Sequence, residues 1–274
     1  MPYAQARDGT NIYYKDWGSG TPVVLVHGWP LSSDTFDDAA LHLADNGFRV
    51  IFHDRRGFGR SDQPWTGYDY DTFADDVSSV LEQAGISEPV AIAGFSMGGG
   101  EVARFITRNP GRVSKAALIG SVVPFLLQTD DNPGGAPRSV FDGLVEGIHK
   151  DRADFFQSFF KTFFGVGVIK SPVSDAMLHD AWRQAMMAGL KPTIACVRAF
   201  SESDFRPDLP NFTMPTLIIH GDEDATVPVE LTARAAAKAI PLAQLIEYDG
   251  GPHGLFATHT ERLAHDLLAF LQQG

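Results

Sequence analysis

The chain has 274 residues, 44% hydrophobic and 20% charged, which excludes the disordered and fibrous classes and suits one α/β core carrying an insertion. A formal net charge of −12 argues against nucleic acid and anionic lipid as partners and points to small molecules. The lone cysteine, Cys196, excludes an intramolecular disulfide and reads as a small buried apolar residue of a helix.

Residues 1–8 lack a basic stretch followed by an apolar one, and no apolar run approaches the roughly 18 residues of a membrane span. A soluble, cytoplasmic protein is expected. Residues 11–17 alternate Ile12 and Tyr14 against Tyr13 and Lys15, the pattern of a half-exposed strand near a sheet edge. The segments 23–26, 50–52, 90–95, 116–119 and 217–219 are apolar almost throughout, as strands covered by helices on both faces are. Between them, residues 71–85 place Phe73, Val77, Val80 and Leu81 on one helical stripe and end at Gly85, a helix-stopping glycine. Residues 97–109 turn Val102, Phe105 and Ile106 inward and stop before Pro110. Strands alternating with helices predict a mainly parallel sheet.

From Ile119 to Pro215 that alternation lapses into Pro/Gly-rich links around aromatic helices, so residues 125–209 are expected to form a helical cap inserted into a core of 1–124 and 210–274. In 154–164, phenylalanine pairs recur every four residues (155/156, 159/160, 163/164), which gathers them on one broad helical face. Packing of the cap on the core explains most of that face, and a hydrophobic acyl pocket accounts for the remainder. A last strand, 245–248, precedes a last helix, 260–272, with Leu263, Leu267, Leu268 and Leu271 inward. There is no internal repeat and no low-complexity tract.

Gly94-Phe95-Ser96-Met97-Gly98 follows an apolar strand and opens a helix. A serine in so sharp a turn is held exposed, and glycines beside it remove side chains that would collide. The helix N-terminus offers free N–H groups and a positive dipole end to a developing oxyanion. A serine hydroxyl needs a neighbouring base to become nucleophilic. Of nine histidines, His253 is best placed, in the loop Gly250-Gly251-Pro252-His253-Gly254, whereas His259 and His265 fall on or beside a helix. His42, His149 and His179 read as surface or cap residues. A carboxylate must fix the tautomer of the histidine, and the loop 220–228 supplies Asp222, Glu223 and Asp224. Acids nearest the strand end more often cap the turn, which favours Asp224 and leaves Asp222 as its competitor. For an oxyanion hole, the N–H of Met97 is one expected donor, and the loop His27-Gly28-Trp29-Pro30 offers the N–H of Trp29 as the other. Pro30 cannot donate.

With His27-Gly28-Trp29-Pro30, Asp54-Arg55-Arg56-Gly57-Phe58-Gly59-Arg60-Ser61, the Ser96 turn, Gly221-Asp222-Glu223-Asp224-Ala225-Thr226-Val227-Pro228 and the His253 loop all in order, the chain resembles the α/β-hydrolase fold superfamily over essentially its full length. Within it the sequence looks most like the cofactor-free (non-haem) haloperoxidases or perhydrolases, with bacterial arylesterases and a γ-lactamase as their relatives. The resemblance implies a mostly parallel eight-stranded sheet flanked by helices with a helical cap, a Ser96–His253–Asp224 triad, and Trp29 and Met97 as oxyanion donors. It implies a serine hydrolase that forms an acyl-enzyme from a small carboxylic ester or acid and passes the acyl group to water or hydrogen peroxide. Peroxide gives a peracid, the route to haloperoxidase-type oxidation. No haem, metal or flavin is implied, and a homo-oligomer is compatible with the sequence.

In that family a proline after the oxyanion tryptophan accompanies the haloperoxidase type, so Pro30 leans the expectation toward perhydrolysis beside esterolysis. Proline restricts its own φ and pushes Trp29 toward extended geometry, aiming a carbonyl where hydrogen peroxide would bind. Phe125, Phe200 and Val227, with Pro30, are the expected pocket walls. The same fold leaves lactonase or γ-lactamase activity, and a hydrolase-like small-ligand receptor, as alternatives. Haloalkane dehalogenases and epoxide hydrolases carry an aspartate where this chain has Ser96.

Overall fold

A computed structural model describes residues 2–273. Met1 and Gly274, the outer ends of the expected core, lie outside the described residues. Eight strands form one sheet: β1 (Tyr3–Gln5), β2 (Asn11–Gly18), β3 (Thr21–Val26), β4 (Phe48–His53), β5 (Val90–Phe95), β6 (Val113–Ile119), β7 (Thr216–Gly221) and β8 (Ala243–Tyr248). Their order is β1-β2-β4-β3-β5-β6-β7-β8, with β2 antiparallel to both of its neighbours, β1 and β4, and every other pair parallel. Val24 of β3 pairs with Ile51 of β4 on one side and Ile92 of β5 on the other. The interior strands are buried along nearly their whole length, as their continuous apolar sequences require.

Helices α1 (Asp37–Asp45) and α9 (Thr260–Gln272) pack together, as do α2 (Tyr70–Gln83) and α3 (Met97–Arg108). Helix α2 ends as its sequence predicts. Gly85 has φ of +70°, and Ile86 N–H donates to Leu81 while Gly85 N–H donates to Glu82. The chain leaves β3 toward β4 on one side and returns past it to β5 on the other. A topological switch point therefore lies between β3 and β5, where parallel sheets open a crevice at the carboxyl ends of their strands.

Two expectations change at the sheet's start. β2 stands next to the edge strand, as expected, but residues 12–15 are buried rather than alternating, because α1 and α2 cover it and a further strand, β1, pairs with it through Tyr3↔Tyr13 and Ala4↔Ile12. Three residues of strand are too few to leave a periodic signal.

Between β6 and β7 lie α4 (Arg138–Phe163), α5 (Asp175–Met187) and α6 (Leu190–Glu202). Helix α4 breaks at Asp151, whose φ and ψ are −161° and 95°. Its carboxylate accepts from the N–H groups of Ala153 and Asp154 and so caps the second half. That half carries the phenylalanine pairs, with Phe156, Phe160, Phe163 and Phe164 all fully buried. Burying such a ring stabilises the fold by about 1.5–3 kcal/mol. The shorter helices α7 (Ala233–Ala239) and α8 (Leu255–Thr258) complete the fold, and no helix among the described residues is long and apolar enough to cross a membrane.

Candidate active site

Ser96 sits between β5 and α3 with φ of 54° and ψ of −120°, the only non-glycine residue at positive φ among those described. Holding L-residue backbone there costs of order 1–3 kcal/mol. The glycines explain how the turn closes. A Cβ on Gly94 would lie 2.3 Å from the Gly98 carbonyl oxygen, and one on Gly98 would lie 2.3 Å from that of Val26. Ser96 N–H donates to the Ile119 carbonyl at 2.8 Å, tying the turn to β6.

His253 follows β8 and Asp224 follows β7, so three strand ends deliver three side chains to one place. Ser96 Oγ lies 2.9 Å from His253 Nε2, and His253 Nδ1 lies 2.6 Å from Asp224 Oδ2. An ionised carboxylate only accepts, so Nδ1 carries the proton and Nε2 presents its lone pair to the serine hydroxyl. The imidazole is 1% exposed, wedged between Phe95 and Phe163 with ring centroids 5.0 and 4.8 Å away.

Asp224 is saturated with donors. Its Oδ1 accepts from the N–H groups of Thr226 and Val227 at 2.9 and 2.7 Å. Burial pushes its carboxyl up, but electrostatic attraction to the His253 ring, the nearby His220 ring and the hydrogen bond from His253 outweigh burial and hold it well below the usual carboxylate range. Asp222 is exposed and points elsewhere: its Oδ1 accepts from Gly250 N–H at 2.7 Å, the turn-capping task expected of an acid at a strand end. Glu223 is exposed, with Lys170 4.0 Å away.

Two buried histidines with no role assigned from the sequence support this centre. His220 is fully buried; its Nε2 donates to the Val227 carbonyl at 2.8 Å and passes 3.1 Å from Asp224 Oδ2. His27 donates from Nδ1 to the Gly28 carbonyl at 2.8 Å and accepts at Nε2 from Arg55 N–H at 2.9 Å. Burial, helped by the Arg55 charge, pushes its pKa down to about 3, so it stays neutral and both nitrogens keep fixed roles. A buried histidine looks like any other histidine in a sequence.

The N–H groups of Trp29 and Met97 have no acceptor among the described residues, although both residues are buried. Met97 is the first residue of α3, and Trp29 lies in the loop after β3, across the switch point. The Trp29 indole donates to the Thr193 carbonyl at 2.9 Å and packs against Phe156, Phe159 and Phe200. The Trp29–Pro30 peptide is cis.

A cavity of about 230 Å³ opens above Ser96 and His253. Trp29, Val122, Phe159, Phe200 and Val227 wall it, and Val140, half exposed, stands at its rim. Phe200 and Val227 therefore stand where expected. Phe125 and Pro30 do not. Phe125 lies under the Arg206 guanidinium, 5.1 Å from its ring centroid, because Phe205 N–H holds the Pro124 carbonyl at 2.9 Å. Pro30 is buried in a turn closed by Leu31 N–H on the Gly28 carbonyl, from which Trp29 alone reaches the cavity. Of the phenylalanine pairs, only Phe159 lines the cavity; the others pack.

A family model described as the alpha/beta hydrolase fold matches residues 21–260. The chain is 43% identical to a non-heme haloperoxidase of Rhodococcus erythropolis over 274 residues, covering 99% of this chain and 100% of that one. It is 42% identical to a bifunctional esterase/perhydrolase of Acinetobacter calcoaceticus, covering 99% and 100% respectively. The solved bromoperoxidase from Bacillus anthracis superposes with a TM-score of 0.95 at 44% identity, covering 99% of each chain.

Proposed function

The chain belongs to the α/β-hydrolase family, and from that premise we propose that it is a serine hydrolase of small carboxylic esters with perhydrolase activity. The observation that carries this reading is the unbroken Asp224–His253–Ser96 hydrogen-bond line at the floor of an apolar cavity. Its similarity to a non-heme haloperoxidase and an esterase/perhydrolase supports hydrogen peroxide as the second acceptor beside water.

Ser96 Oγ attacks the ester carbonyl carbon as His253 Nε2 takes the hydroxyl proton. Asp224 orients the imidazole and offsets the charge of the imidazolium. The oxyanion of the tetrahedral intermediate accepts from the Met97 and Trp29 N–H groups, and losing one such donor costs about 3–4 kcal/mol. His253 then gives its proton to the departing alkoxide, which leaves as the alcohol. Water or hydrogen peroxide next loses a proton to Nε2 and attacks the acyl carbon. Collapse returns the proton to Ser96 Oγ and releases a carboxylic acid or a peroxy acid.

Residues 125–209 act as a cap that selects the acyl group, while Pro30 acts through Trp29 rather than on substrate. The chain works in the cytoplasm, and a homo-oligomer is compatible with this chemistry. Ser96→Ala should abolish p-nitrophenyl acetate hydrolysis and fluorophosphonate labelling together. Wild-type rates in that variant would overturn the reading.

A further inference from the structure

The two unpaired N–H groups beside Ser96 come from segments far apart in sequence, Met97 on α3 and Trp29 in the loop after β3. Their separation therefore depends on whatever joins those segments. Gly98 lets α3 rest directly on β3, since a Cβ there would lie 2.3 Å from the Val26 oxygen and 2.8 Å from the His27 oxygen. One turn further along α3, Glu101 Oε2 accepts from Arg55 Nε at 2.7 Å. The same guanidinium donates through Nη2 to the His27 carbonyl at 2.7 Å. Arg55 N–H holds His27 Nε2, and His27 Nδ1 holds the Gly28 carbonyl, one residue before Trp29.

We infer that Arg55 and Glu101 form a buried clamp that fixes the spacing of the Met97 and Trp29 N–H donors, and so are positioning residues for the reaction at Ser96. This inference rests on reading Ser96 as the nucleophile. Arg55 is 1% and Glu101 0% exposed, and neither lines the cavity. Burial pushes the Glu101 carboxyl up, but the Arg55 charge and His53, whose Nε2 lies 3.2 Å from Oε1, hold it below its usual range. For stability alone, an apolar pair of similar volume would serve as well, because desolvating two charges consumes most of their attraction. What the pair adds is direction: a planar fork engages a carboxylate and a backbone carbonyl at once. The guanidinium lies 5.4 Å over the Phe73 ring, which fixes its plane. Donor placement of this kind acts on the tetrahedral oxyanion far more than on the bound ester.

Arg55→Lys tests it, because an ammonium keeps the charge opposite Glu101 but not the fork to His27. Displacement of the donors predicts a fall in kcat for p-nitrophenyl acetate of about 100-fold, with KM within about threefold of wild type. Affinity for phenylboronic acid, which adds to the serine and places an oxygen in the hole, should fall in step. Affinity for benzamide, similar in shape but forming no adduct, should hold. Should Arg55→Lys not fold, Arg55→Met/Glu101→Leu removes both charges together and carries the same expectation. A folded variant with kcat and boronate affinity within about twofold of wild type overturns the clamp. So does a variant in which KM and benzamide affinity shift as much as kcat. Ser96→Ala run alongside separates the readings: if it retains activity, the nucleophile assignment fails, whereas a dead Ser96→Ala beside an unaffected Arg55→Lys rejects the clamp alone.

Discussion

The strand-end loops beneath the cavity and the helices above it are held by different forces. Below, directed hydrogen bonds decide where each group points: Asp224 has both oxygens engaged, and His253 is fixed at both nitrogens. Above, the second half of α4 meets the core through ring packing, Phe156 against Trp29 and Phe163 against Phe95 and His253. Directed bonds resist displacement in every direction, while aromatic packing tolerates sliding and resizing. The lower layer is thus suited to chemistry that depends on alignment, and the upper layer to choosing what enters.

Substitutions in the two layers should therefore differ in kind. In the lower layer, Asp224→Asn should lower kcat about 10⁴-fold by leaving His253 in the wrong tautomer, whereas Asp222→Asn should stay within about threefold. The reverse order, in steady-state hydrolysis of p-nitrophenyl acetate, would reassign the acid. The same variant carries a stability signature. The folded-state carboxyl of Asp224 lies below its ordinary 3.8, so its ionised form stabilises the fold above that pH and the benefit disappears as pH falls further. The Tm gap between wild type and Asp224→Asn should shrink between pH 7 and pH 3, and an unchanged gap would contradict the hydrogen-bonding argument.

In the upper layer, Val140→Trp at the rim should raise KM for bulky aryl esters by about tenfold while leaving p-nitrophenyl acetate nearly untouched. Equal loss for both esters would erase the distinction between the layers. The smallest effect is expected at their junction. Pro30→Leu should lower peroxide-dependent bromination in acetate buffer relative to ester hydrolysis by about two- to fivefold through Trp29. An unchanged ratio would remove Pro30 from acceptor choice.

What was legible in the sequence follows the same division. Ser96, Asp224 and His253 follow β5, β7 and β8, so recognising those strands places the three loops together, while the choice of Asp224 over Asp222 leans also on the family resemblance; the structure brings the three side chains within hydrogen-bond reach. β1 escaped notice because three residues carry no period. The cavity walls were only half foreseen: Phe200 and Val227 line it, Phe125 and Pro30 do not. Wall positions depend on the break of α4 at Asp151 and on where Arg206 settles, both products of tertiary packing rather than of local pattern. The Arg55–Glu101 pair left no trace either, since its partners meet only after β3, β4 and α3 assemble.

The most direct test of the nucleophile is to quench the enzyme during turnover of p-nitrophenyl acetate and map the acetyl group by peptide mass spectrometry. One acetyl group on the peptide containing Ser96, absent when hydroxylamine is added before digestion, is the predicted result. A pre-steady-state burst of nitrophenol with the acetyl group on any other residue would contradict it.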